Sequence, residues 1–196
     1  MGGRRSVATS GSEQSIMSVS DPFQVLGMPR VYDIDPQALR RAYLGKAARL
    51  HPDTMSGDEV EIEAATAELN LARATLENPE ARAECLLRLL GGPAKEADRS
   101  LPDGFLGEIM EIRESLEEAA SASDTQTRSR LLTWAREERE RYSRACAGLF
   151  AQALAEPGPA RDASLREIRR TLNAWRYIER MIEQAGASGS GRDGGS

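Results

Sequence analysis

The chain reverses its charge across a single break. From Pro36 to about Leu50 an amphipathic pattern carries Arg40, Arg41, Lys46 and Arg49 and no acid. From about Asp58 to Glu77 a second pattern carries Asp58, Glu59, Glu61, Glu63, Glu68 and Glu77 against Arg73 alone. Leu39, Tyr43, Ala47 and Leu50 share one helical face in the first, and Ile62, Ala65, Leu69, Ala72 and Leu76 share one in the second. Two such helices pair antiparallel through those faces, with the connecting loop at one tip of the hairpin. The break itself is His51-Pro52-Asp53, and His51 is the only histidine in the chain. Proline disfavours the α region for the residue before it, so His51 is expected to leave the helix and project from the loop. Asp53 follows with a short carboxylate, able to fold back on local N–H groups or to meet a partner.

The helices near this hairpin start with one device, an acid or amide before proline. Asp21-Pro22, Asp35-Pro36 and Asn78-Pro79 each place a capping side chain ahead of a proline at the first helical position. The first opens a short helix, Pro22 to Leu26, closed by Gly27, with Phe23 and Leu26 on one side. Aromatics are only 5% of the chain while Ala, Leu, Glu and Arg dominate, so the fold class expected is all-α.

The net charge of −5 argues against a general nucleic-acid binder. No run approaches the roughly 20 apolar residues that cross a bilayer, so no membrane role is expected. Cys85 and Cys146 are far apart, with no CxxC spacing and one histidine available, so neither a metal site nor a cofactor is expected. Two free buried thiols fit a reducing compartment. Residues 1–20, rich in Gly, Ser and Arg, lack the apolar core of a signal peptide and read as a disordered leader. Met1-Gly2-Gly3-Arg4-Arg5-Ser6 matches a myristoylation pattern, and the Arg/Ser bias faintly resembles a mitochondrial presequence. Residues 186–196 read as a disordered Gly/Ser tail.

After a helix containing Arg82 to Leu90, Gly91-Gly92-Pro93 is a stop, and 93–102 reads as an interdomain linker. Three helices are then expected over 103–185, packed as an antiparallel bundle. The first runs from Asp103 to about Ala120. The second opens on a capping box, Ser123 with Gln126, and ends at Pro157-Gly158-Pro159. The third opens on another, Ser164 with Glu167. Core positions of the middle helix are Leu131, Ala135, Tyr142, Cys146, Leu149 and Phe150. Phe105, Ile109, Ile112 and Leu116 form the core stripe of the first, and Leu165, Ile168, Leu172, Trp175 and Ile182 that of the third. Leu106 and Met110 point elsewhere, among Glu111, Glu114, Glu117 and Glu118, and Tyr177 and Met181 lie off the stripe of the third helix. An apolar patch fringed with acids is the anatomy of a protein-binding site.

The order of helix, basic helix, His51-Pro52-Asp53 and acidic helix ending Leu69-Asn70-Leu71-Ala72-Arg73-Ala74-Thr75-Leu76 resembles a J-domain, over 21–92. That resemblance implies docking on a DnaK-class chaperone and stimulation of its ATP hydrolysis. His51, Pro52 and Asp53 would carry the stimulation, and Arg40, Arg41, Lys46 and Arg49 the basic docking surface. Leu44-Gly45 stands where many J-domains have two more basic residues, which implies a more specialised pairing.

Gly104-Phe105-Leu106-Gly107-Glu108-Ile109-Met110-Glu111-Ile112-Arg113-Glu114 resembles a helix of the HscB family of iron–sulfur co-chaperones. Arg82 to Leu87 and Trp175-Arg176-Tyr177-Ile178 extend the likeness. It implies that the bundle binds the cluster scaffold IscU through Leu106, Met110, Glu111, Glu114, Glu118 and Tyr177, for delivery to an HscA- or DnaK-type chaperone. Gly107 departs from the larger apolar residue the family can carry there. The cysteine-rich zinc module of many eukaryotic members is not seen, which implies a bacterial cytoplasmic protein rather than a mitochondrial one. Two other readings stay open: a J-protein delivering a different client to a general DnaK-type chaperone, and an enzyme using His51 as general base, which requires a pocket and a partner group beside it.

Overall fold

A computed structural model of the chain describes residues 20–50 and 58–190, with side chains up to 185. Seven α-helices and no strand occur among the described residues: α1 Pro22–Leu26, α2 Pro36–Ala47, α3 Glu59–Glu77, α4 Pro79–Leu89, α5 Phe105–Ser121, α6 Thr125–Ala155 and α7 Pro159–Ser190. The chain is all-α, as its composition implies. A 3₁₀ turn, Ala48–Leu50, tightens the end of α2.

The proline starts act as read from the residues. Asp21 accepts from the Phe23 amide, Asp35 from those of Gln37 and Ala38, and Asn78 from that of Ala81. Each side chain satisfies a donor that the first turn leaves without a partner. Gly27 closes α1 at φ 68°, a left-handed conformation that favours glycine. α2 and α3 form the hairpin, closed by α1 and α4 around Phe23, Leu26, Leu39, Leu69, Leu76, Leu86 and Leu87. Each such leucine or phenylalanine contributes about 1.5–3 kcal/mol by leaving water.

α5, α6 and α7 form the bundle, and α7 lies at its centre. It packs on α4, α5 and α6 together, and Thr171 to Trp175 are buried in unbroken succession. Enclosure on three sides corrects one expectation: Met181, read as lying off the core stripe, is buried. Arg139 of α6 pairs with Glu179 of α7, whose carboxylate also accepts from the Trp175 indole at 2.8 Å.

The helix ends differ from expectation in four places. α5 begins at Phe105, after Gly104 turns at φ 78°, not at Asp103. Asp124, not Ser123, caps α6. α7 begins at Pro159, so Ser164 is not a cap; the proline sits at the first position of a helix instead of marking a stop. α7 also continues to Ser190, past the end expected before Gly186, because glycine lowers helix propensity without forbidding the conformation.

The two halves meet along α4 and α7. Tyr32, in the loop before α2, stacks on Phe150 of α6 with ring centroids 5.4 Å apart, and its hydroxyl is 2.9 Å from Ser143 Oγ. Arg169 of α7 donates to both oxygens of Glu84 on α4, and Arg176 bridges Glu84 and Glu80. Residues 93–102 are tied to α7: Arg169 Nε donates to the Pro93 carbonyl, and the Asn173 amide donates to the carbonyls of Asp98 and Ser100. A segment read as a linker is therefore fastened to the bundle.

Candidate functional site

Arg40 and Arg41 project from the outer side of α2, both exposed, with Arg41 3.5 Å from the capping Asp35. Lys46 is half-buried beside Gly27, and Arg49 is exposed in the 3₁₀ turn. Leu44 sits among these cations with 53% of its surface exposed. The inner side of α2 is fixed to α3: the Tyr43 hydroxyl donates to Asn70 Oδ1 at 2.8 Å, and the Arg73 guanidinium lies over the Tyr43 ring at 4.6 Å. The hairpin thus presents its cations on a braced helix. His51, Pro52 and Asp53 lie outside the described residues.

On α5 the buried and exposed apolar residues separate. Phe105 and Ile109 are buried, whereas Leu106 and Met110, one turn apart, are 52% and 63% exposed. Glu111, Glu114 and Glu118 are exposed around them. Tyr177 of α7 is half-buried, and its ring meets Phe105 edge-on at 5.7 Å. That contact places Tyr177 against Phe105, the sequence neighbour of Leu106. A Cβ added at Gly107, next to Leu106 in sequence, would meet no atom within 4 Å.

Sequence reasoning missed the polar residues that orient these two surfaces. Arg169, Arg176 and Asn173 lie on α7 at positions that read as ordinary polar punctuation, and their partners are remote in sequence. Burial raises the Glu80 carboxyl above its usual range, and the Arg176 guanidinium opposes that shift. No group of three or more His, Cys, Asp or Glu side chains is placed to hold a metal among the described residues. No described helix is long and apolar enough to cross a membrane.

Comparison with known proteins accounts for both halves. Residues 21–85 match the DnaJ domain, and residues 101–186 match the HSCB C-terminal oligomerisation domain. The co-chaperone protein HscB of Proteus mirabilis (strain HI4320) is 34% identical over 111 residues, which is 54% of this chain and 64% of that protein. The HscB homolog of Ralstonia nicotianae is 33% identical over 175 residues, 86% of this chain and 96% of its own length. The chain belongs to the HscB family. The crystal structure of human co-chaperone HscB shares its fold, with a TM-score of 0.71 at 24% identity over 87% of this chain and 83% of the human one. HscB from Vibrio cholerae shares it with a TM-score of 0.64 at 23% identity, covering 86% of this chain and 96% of that one. In this HscB-family member the DnaJ match covers α1 to α3 and part of α4, and the C-terminal match covers α5, α6 and most of α7.

Proposed function

We propose that this HscB-family protein is a J-type co-chaperone for iron–sulfur cluster assembly, with the scaffold IscU as its client and an HscA- or DnaK-type chaperone as its engine. The observation that carries this reading is the presence, in one chain, of a cationic helix on a J-domain and an exposed Leu106–Met110 patch on the HscB-type bundle. Arg40, Arg41, Lys46 and Arg49 attract an acidic chaperone surface, speeding encounter. His51, Pro52 and Asp53 supply the contact that triggers ATP hydrolysis. Leu106, Met110 and Tyr177 give the scaffold an apolar anchor, and Glu111, Glu114 and Glu118 form the polar rim.

The protein brings substrate to enzyme, and the hydrolysis belongs to the partner. The bacterial relatives support a place in the bacterial cytoplasm.

Two measurements test the reading separately. His51→Gln or Asp53→Asn should abolish stimulation of chaperone ATPase while circular dichroism stays unchanged; undiminished stimulation would refute the docking role. Leu106→Ala combined with Tyr177→Ala should weaken scaffold binding in a calorimetric titration. Equal affinity would remove the scaffold from this patch and favour a J-protein with another client.

A further inference from the structure

α3 is apolar on two opposite faces. The inner stripe, Ile62, Ala65, Leu69, Ala72 and Leu76, closes the hairpin core, with its last three residues buried. On the far side Val60, Ala64, Ala67, Leu71 and Ala74 are all exposed. Val60 and Leu71, at 68% each, are the most exposed of the large hydrophobic residues described. At 100° per residue these five lie within about 40° of one line, along about 21 Å of helix. Their intervals alternate four and three, the spacing by which one helix keeps a seam against another. Nothing among the described residues covers them.

Helix propensity explains exposed alanines but not the two ends of this seam. Valine is β-branched and a poorer helix former, and Leu71 has an apolar side chain with nothing to bury it against. A surface helix normally keeps its second face polar, so a helix apolar on both sides has a further surface to cover.

The residues beside the seam select the occupant. They are Glu59, Glu61, Glu63, Glu68, Asn70, Thr75 and Glu77. Arg73 holds Glu77 at 2.7 Å and Glu68 lines a cleft shared with Lys46 and Arg49, while Glu61 and Glu63 are exposed and make no ion pair among the described residues. A second copy meeting this face with its own would set glutamate against glutamate, which flanking positions of paired helices reject. We propose that the outer face of α3 docks an amphipathic helix of a partner protein, with small and leucine side chains at its seam and lysine or arginine along its flanks. The acidic partner suited to the cations of α2 is unsuited here, so the two sides of the hairpin serve chemically opposite proteins. This inference does not rest on the proposed co-chaperone function.

The test uses the full chain and a fluorescent synthetic helix about three heptads long, with leucine and alanine at the seam and lysine on the flanks. Fluorescence anisotropy should show saturable binding that weakens with salt. Leu71→Glu and the uncharged Leu71→Gln should each bind at least about tenfold more weakly, the scale of one lost leucine contact. Leu106→Ala, which alters the other acid-rimmed patch, should bind as the parent does, and a peptide flanked by glutamate should not bind. Absence of binding, binding indifferent to both Leu71 variants, or an equal loss in Leu106→Ala would overturn the proposal. A dimer in sedimentation that Leu71→Glu splits would also overturn it, assigning the face to a second copy.

Discussion

Arg169, with only 1% of its side chain exposed, donates to the two carboxylate oxygens of Glu84 at 2.9 and 2.6 Å, across the boundary between bundle and J-domain. A buried guanidinium is tolerable only where its charge and its donors are matched. Here Glu84 supplies the charge and the Pro93 carbonyl accepts from Nε–H at 2.9 Å. One side chain thus holds α4, α7 and the start of the connecting segment together.

Arg169→Ala is expected to lower the free energy of unfolding by about 3 kcal/mol, the usual cost of breaking a buried pair from one side. Arg169→Lys should recover little of it, because an ammonium cannot form the two-pronged bond. Urea denaturation of the three proteins measures both. A loss under about 1 kcal/mol would mean that the pair behaves like a solvated surface bridge.

Gly107 sits inside α5 with open space where a Cβ would go. Gly107→Ala should raise stability by about 1 kcal/mol through helix propensity alone, read as a higher unfolding midpoint. Gly107→Leu should in addition tighten scaffold binding by placing an apolar side chain next to Leu106 in sequence. Higher stability with unchanged affinity would separate the helix effect from the binding role.

Cys146 is fully buried, and burial pushes its thiol up to about 12. Burial raises Cys85 as well, opposed by an Arg88 hydrogen bond to its sulfur at 3.6 Å. The thiolate is the reactive form, and at pH 8 a thiol of that strength is ionised on the order of one part in ten thousand. Cys146 should therefore resist a disulfide reagent in the native protein, Cys85 should react first, and both should react at once in denaturant. Rapid native labelling of Cys146, located by mass spectrometry, would contradict its burial.

Local signals made much of this fold legible. Asp21, Asp35 and Asn78 declare their helices because a cap and a proline act within one turn. Leu106 and Met110 stand out on α5 because helical periodicity alone separates them from Phe105 and Ile109. What escaped depends on geometry that no short window contains. Met181 is buried because α7 has neighbours on three sides, which widens its apolar stripe beyond a single face. Pro159 reads as a stop in the sequence because the same residue serves as terminator or first position according to the turn before it. Arg169 and Asn173 carry no local mark, since their partners stand 73 to 85 residues away in sequence. The outer seam of α3 is legible in the same spacing, but a helix whose Leu69, Ala72 and Leu76 already supply a core face gives no local reason to expect a second one.

The Asn173 amide, by gripping the backbone at Asp98 and Ser100, takes the slack out of the passage between the two halves. Under the proposed co-chaperone function, cargo seated on the bundle is consequently carried at a set reach and heading from the hairpin that docks on the chaperone, like a load on a welded boom. Any swivelling needed to hand it over falls to the ATP-driven machine and the cargo themselves.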